Sequence, residues 1–143
     1  MTYAVRDLVG AQPIANTSTT QIHVIGTKVQ AWDPTYGEDE FIYLVGVAST
    51  VIGSLVVYNA LTGVTTLAPN TANLAQPVAV AMSANVASQY GWYQIKGAAI
   101  IKKTGVVVTP NVAIYLSGTA GRIRPSAASG KNILGARTAN AAT

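Results

Sequence analysis

Residues that could carry out acid–base or metal chemistry are few in this chain and lie near its beginning. All five carboxylates occur within the first 40 residues, and the single histidine, His23, lies in the alternating segment Gln21-Ile22-His23-Val24-Ile25. General acid–base catalysis needs a carboxylate or a histidine whose pKa is tuned by a partner. Residues 41–143 contain neither type. We therefore expect a protein that is not an enzyme.

Two short motifs resemble ligand sites but lack the required spacing. Ser129-Gly130-Lys131-Asn132 is similar to the end of a phosphate-binding loop, yet Pro125 stands where that loop needs glycine and Asn132 replaces serine or threonine. The acidic segment 33–40 carries four carboxylates, but their spacing is not that of an EF-hand. The chain has no cysteine, which excludes disulfides and thiolate metal sites. We expect no cofactor and no bound metal.

The charges are divided along the chain. Seven basic residues and no acid follow Glu40, and the formal net charge is +4. A basic body can bind nucleic acid, but no arginine-rich run or aromatic RNA-binding motif is present, so we expect no nucleic acid partner. Opposite charges at an interface set its register. We predict that two sets of side chains lie on different faces or meet across a subunit boundary: the acidic Glu38, Asp39 and Glu40, and the basic Arg122, Arg124 and Lys131.

The composition predicts strands. Threonine, valine and isoleucine number 16, 17 and 11, and glutamate occurs only twice. β-Branched residues favour pleated, half-buried surfaces, and turn residues recur between short apolar runs. These features predict an all-β fold, a small single-domain β-sandwich or barrel without long helices. The predicted strands are 21–32, 40–48, 55–60, 64–67, 77–83, 92–102, 106–108, 112–117, 121–124 and 132–137. Small residues such as Gly46, Ala79 and Ala81 would allow a neighbouring layer to approach closely.

The first 20 residues show no clear period and are interpreted as an extended N-terminal arm, ahead of a β domain at residues 21–143. An extended segment can lie along a partner or add to a sheet edge. We expect a chain without residues 1–20 to fold and to lose affinity for its partner. In this arm, Arg6 and Asp7 would set the register, and the apolar contacts would come from Tyr3, Val5, Leu8, Val9 and Ile14.

Aromatic residues form two groups, around the acidic segment and at residues 90–93. Trp92 and Tyr93 should face opposite sides of a strand, so that one packs in the core while Tyr93 is available outside. Tyr36 lies in the other group. Exposed aromatic residues can stack on a sugar, as in a carbohydrate-binding module, or anchor a protein interface. No apolar run approaches the ~18 residues that span a bilayer, so no membrane association is expected.

Three segments carry a resemblance to a known family. They are Gly37 to Thr50 (Gly-Glu-x-Glu-Phe-Ile-Tyr-Leu-x-Gly-Val-Ala-Ser-Thr), Pro77 to Ser83 (Pro-Val-Ala-Val-Ala-Met-Ser) and Gly91 to Gly97 (Gly-Trp-Tyr-Gln-Ile-x-Gly). In these segments the chain resembles the capsid decoration, or cement, proteins of tailed bacteriophages. The likeness extends over about residues 21–137, which is most of the chain.

The resemblance implies a small β domain in the virion, on the outer surface of the capsid, often as a homotrimer at threefold positions. The implied partners are the major capsid protein and other copies of this chain. It implies no catalytic residues. We therefore expect a subunit or capsid interface formed by Tyr36, Glu38, Asp39, Glu40, Tyr93, Arg122 and Arg124. A carbohydrate- or surface-binding module, such as a head fibre or tail accessory protein, is the alternative function.

Overall fold

The computed structural model describes residues 3–5 and 12–142, and every helix or strand assigned within them is a β-strand. The all-β prediction is confirmed. The strands are β1 (Ala4–Val5), β2 (Thr17–Ser18), β3 (Lys28–Asp33), β4 (Gly37–Val45), β5 (Leu55–Tyr58), β6 (Thr65–Leu67), β7 (Val78–Ala81), β8 (Tyr90–Lys96), β9 (Ala113–Leu116), β10 (Ile123–Arg124) and β11 (Asn132–Arg137).

The strands form two antiparallel sheets. The large sheet has the order β1-β3-β4-β8-β7-β5-β6, and β2 pairs with the first two residues of β8. The small sheet has the order β10-β9-β11. Two of the predicted strands are shorter than expected, each near a glycine. Gly26 and Gly97 both adopt positive φ, which lies outside the extended region; β3 begins only at Lys28, and β8 ends at Lys96.

The large sheet closes into a small barrel between β4 and β6. Val45, at the end of β4, forms a parallel bridge with Val64, next to β6. The Val45 amide donates to the Gly63 carbonyl (3.0 Å), and the Thr65 hydroxyl donates to the Val45 carbonyl (2.6 Å). Five strands, β4, β8, β7, β5 and β6, thus surround an interior occupied by buried side chains. Those side chains are Ile42, Leu44, Val56, Ala79, Ala81 and Tyr93, with Tyr58, Leu67 and Ile95 at the margins.

Two further apolar clusters cover the outside of this barrel. The small sheet packs on the outer faces of β5 and β7, where Ile114, Leu116 and Ile123 meet Leu55 and Val57. The N-terminal segment packs with β3 on the outer faces of β4 and β8; this cluster contains Tyr3, Ile14, Val29, Ala31, Phe41, Tyr43, Met82 and Trp92. The molecule therefore combines the two predicted architectures, a barrel with a sheet packed against it.

Candidate interaction surfaces

Tyr93 lies inside the barrel, and the prediction that its side chain is available outside is wrong. Its exposed fraction is 0%. Its hydroxyl accepts a hydrogen bond from Asn85 Nδ2 (3.0 Å), and burial raises the pKa of Tyr93, with hydrogen bonds to Thr65, Asn85 and Thr50 opposing that rise. Both faces of β8 are covered, because Trp92 on the opposite face is also fully buried.

Asp39 is also an internal residue and not part of an exposed acidic surface, which corrects its predicted place at an interface. Only 3% of its surface is exposed. One carboxylate oxygen accepts a hydrogen bond from the Tyr3 hydroxyl (2.6 Å), and the other accepts one from the Ala98 amide (3.2 Å). Gly97 makes this possible, since a Cβ at that position would collide with the Asp39 side chain.

The Tyr3–Asp39 hydrogen bond predicts a loss of stability in alkali. Burial, and next the hydrogen bond to Asp39, raises the pKa of Tyr3 well above its usual range. An unfolded tyrosine titrates near pH ~10. Above that pH the unfolded chain releases a proton that the folded chain keeps, so stability present below pH ~10 decreases as the pH rises. We expect urea unfolding at pH 8 to show a higher free energy of unfolding for the wild type than for Tyr3→Phe. This difference should be smaller at pH 11. An equal difference between the two proteins at both pH values would contradict this prediction.

Some of the predicted arm residues lie in the core, and the others lie outside the described residues. Tyr3 and Ile14 are buried in the domain's own core, so the prediction that these two side chains contact a partner is wrong. They are buried because β1 pairs with β3 and β2 with β8, which folds the described part of the segment onto the sheet. Arg6, Asp7, Leu8, Val9 and the side chain of Val5 lie outside the described residues.

The remaining predicted interface residues lie at or near the surface, in two separate places. Tyr36 is half-buried and packs against the N-terminal cluster, while Glu38 and Glu40 lie on β4 with exposed and half-buried side chains. Arg122 is exposed and Arg124 half-buried, at the β10 edge of the small sheet. The structure thus places the acidic and basic groups on different sheets.

Sequence reasoning missed a surface that we call the apolar loop patch, formed by Ile22, Val24, Leu61 and Val64. All four are exposed, and Leu61 is 95% exposed. They belong to two loops, at residues 22–25 and 61–64, which touch where Gly63 lies against the Ile25 side chain. Exposed apolar side chains that two touching loops bring near each other are a candidate interaction site. The only sequence signal was Leu61, an apolar residue inside the turn Asn59-Ala60-Leu61-Thr62-Gly63.

Hydrogen bonds hold both loops of the apolar loop patch in place. In the hairpin turn, the Asn59 carboxamide oxygen accepts from the amides of Leu61 (2.8 Å) and Thr62 (3.0 Å). In the other loop, the Gly26 amide donates to the Tyr43 carbonyl (2.8 Å), and the Ile22 amide donates to the Tyr43 hydroxyl (3.2 Å). The apolar side chains are thus presented by fixed backbone, which lowers the entropy lost on binding.

His23 packs against aromatic rings and anchors the first of these loops. Its ring packs edge-on against Tyr43 and lies 5.4 Å from Trp92, measured between ring centroids. Asp33, the nearest acid in sequence, caps the turn after β3 by accepting hydrogen bonds from the amides of Thr35 (2.7 Å) and Tyr36 (3.1 Å). Asp33 therefore positions backbone, and His23 packs with aromatic rings.

Comparison with protein-family models, curated proteins and solved structures finds no match for this chain. Within the described ranges, no three histidine, cysteine or acidic residues group as metal ligands would. Within the same ranges, no helix is long and apolar enough to cross a bilayer. The function is therefore inferred from the exposed surfaces described above.

Proposed function

We propose that this chain is a structural protein of a phage virion, which binds the outer surface of the assembled capsid and reinforces it by bridging neighbouring major capsid subunits. The observation that carries the proposal is the apolar loop patch, four exposed apolar side chains on two hydrogen-bonded loops of a small barrel. The roles of three acid–base groups in the described residues support a non-catalytic function. Asp33 caps a turn, Asp39 accepts a hydrogen bond from the Tyr3 hydroxyl, and His23 packs in an aromatic cluster.

Binding alone is sufficient for this function. A subunit that binds only the assembled shell stabilises it by its binding free energy, through mass action. Many copies, each spanning two shell subunits, add their contributions without any chemical step. A barrel with a filled interior suits the role, because a rigid subunit loses little conformational entropy on docking.

The direct test is the location of the chain in purified phage particles by cryo-electron microscopy. The proposal expects barrel-shaped density outside the shell, in contact with two or more capsid subunits. Density confined to the tail, or no density on heads of particles that contain the chain by mass spectrometry, would contradict it.

Within this proposal the chain forms a homotrimer through the apolar loop patch. Closed cyclic assemblies are the usual way to cover such a surface. We expect sedimentation at micromolar concentration to show three chains per particle, and the double substitution V24S/L61S to shift the protein to monomers by removing apolar contact area.

The matched control for V24S/L61S is Leu134→Ser, which also removes an exposed leucine but on the small sheet. That variant should stay trimeric. A wild-type protein that sediments only as monomers, or equal effects of the two variants, would contradict a trimer built on this patch.

One observation favours the second candidate, a carbohydrate-binding module. Trp32 is 53% exposed and lies directly opposite Glu38 across β3 and β4, with Gln30 and Glu40 paired next along the same face. An aromatic ring beside polar side chains is a surface on which a sugar can stack. Binding on a glycan array that is lost in Trp32→Ala would favour this function over capsid reinforcement.

A further inference from the structure

Positive charge is concentrated at the β10 edge of the small sheet, in Arg122, Arg124, Lys102 and Lys103; we call these residues the basic face. Ile123 points into the core, so Arg122 and Arg124 on either side of it point outward. Lys103 forms a parallel bridge with Ile123, which brings Lys102 and Lys103 beside β10. Four basic residues thus lie on two adjacent backbone segments, and the backbone hydrogen bond from Ile123 to Lys102 (3.0 Å) fixes their spacing.

Neutral oxygens hold several of these cations in place. Arg122 Nη1 donates to the Lys103 carbonyl (3.3 Å), and Lys103 Nζ donates to the Val106 carbonyl (2.9 Å). Lys131, on the loop before β11 and not one of these four, donates from Nζ to the Asn70 side-chain oxygen (2.6 Å). These hydrogen bonds orient the cations but do not neutralise their charge, so the basic face keeps its positive field.

The described residues offer no matching acidic surface. Of the four acids in the described ranges, Asp33 and Asp39 are buried. The other two, Glu38 and Glu40, lie with Lys28 on the face of β3 and β4 opposite the N-terminal cluster, and Glu40 lies directly opposite Lys96 of β8. The described acidic surface of a second copy would therefore bring as much positive as negative charge to the basic face, which favours another molecule as the source of the complementary charge.

We infer that the basic face docks on an acidic protein surface, which, on the proposed function, belongs to the capsid shell. The surface beside the basic face is not purely cationic. Across the small sheet, Arg124 pairs with Tyr115 and Tyr115 with Asn132. Leu134, 86% exposed, lies further along β11. An exposed leucine and a tyrosine add contact area against a protein but have no counterpart in a phosphate backbone, which favours protein over nucleic acid.

The test compares two double reversals that change net charge equally. R122E/R124E reverses the two arginines of the basic face, and K28E/K96E reverses two exposed lysines on β3 and β8. Poly-L-glutamate serves as the acidic polypeptide probe, and a DNA duplex of equal charge as the comparison. We expect R122E/R124E to bind poly-L-glutamate roughly tenfold more weakly at low salt and K28E/K96E to change binding far less. The wild-type affinity should fall as salt rises.

Equal loss in the two variants would overturn the inference, because the binding would then reflect net charge alone. Tighter binding of the wild type to DNA than to poly-L-glutamate at the same salt would overturn it in favour of a nucleic acid partner. Circular dichroism and thermal unfolding of both variants check that they remain folded. No capsid enters this assay, so it can succeed where the virion proposal fails. Conversely, capsid binding unaffected by R122E/R124E would leave the proposed function and remove this inference.

Discussion

Gly46→Ala is expected to lower the free energy of unfolding by roughly 3 kcal/mol or more. Gly46 follows β4, and a Cβ there would collide with the backbone carbonyl oxygens of Asn85 and Val86. Backbone atoms cannot move aside as a flexible side chain can. Accommodating the methyl group would separate the end of β4 from the loop at residues 84–89. Urea or thermal unfolding measures the change.

The separation would also break hydrogen bonds that close this end of the barrel. The Gly46 amide donates to the Gln89 carbonyl (2.8 Å), and the Val47 amide donates to the Asn85 carbonyl (3.2 Å). Asn85 is fully buried, and its side chain holds the Tyr93 hydroxyl inside the barrel. A displaced loop would leave several buried polar groups unpaired, and each such group costs about 1–3 kcal/mol.

Gly105→Ala is the matched control. Gly105 has no positive φ, and a Cβ at that position would meet no atom within 4 Å. The same chemical change there should leave stability within about 0.5 kcal/mol or raise it slightly, because alanine narrows the unfolded ensemble. Equal unfolding midpoints for the two variants would show that the contact between Gly46 and the loop is not tight.

The strands were largely predictable because their signals are local. Alternating β-branched residues bounded by glycine, proline and asparagine placed strands within 55–60, 64–67, 77–83, 112–117 and 132–137, and the structure has a strand inside each. Gly46 is a point of close approach as expected, but the neighbour is the loop at residues 84–89 and not a sheet layer. Such patterns depend only on residues that are close in sequence, so they can be recognised without knowledge of the fold.

What the sequence could not predict depends on contacts between distant residues. Alternation along β8 placed Trp92 and Tyr93 on opposite faces, which is correct, but it cannot show that both faces are covered. Tyr93 is buried only because β4 to β6 close into a barrel. In the sequence, Asp39 cannot be distinguished from its acidic neighbours. Its burial depends on Tyr3, 36 residues away in sequence.

The N-terminal segment shows the same limit. Its lack of period suggested an arm outside the core, since patterning over 20 residues is the usual sign of a packed element. Two single side chains, Tyr3 and Ile14, are enough to attach its described parts to the barrel, and the strands that accompany them are two residues each. Such short elements leave almost no periodic signal in the sequence.

Deletion of residues 1–20 is therefore expected to destabilise the domain, contrary to what an attachment arm alone would do. The deletion removes the buried side chains of Tyr3 and Ile14 from the cluster around Trp92. Truncating a buried aromatic or isoleucine costs about 2–5 kcal/mol each, and small domains are stable by only about 5–15 kcal/mol. We expect urea unfolding, followed by tryptophan fluorescence, to show a transition at much lower denaturant, or none.

The deletion would also remove the hydroxyl that donates to one Asp39 carboxylate oxygen, and the loss of a hydrogen bond to a buried carboxylate is costly. The double substitution Y3A/I14A separates packing from chain length: it should reproduce most of the loss, whereas Thr19→Ala, at an exposed position in the same segment, should leave the transition where it is. If the shortened chain unfolds at the wild-type midpoint, the segment contributes nothing to the core. Its residues would then be free to serve a partner, and the contacts of Tyr3 and Ile14 would have no energetic weight.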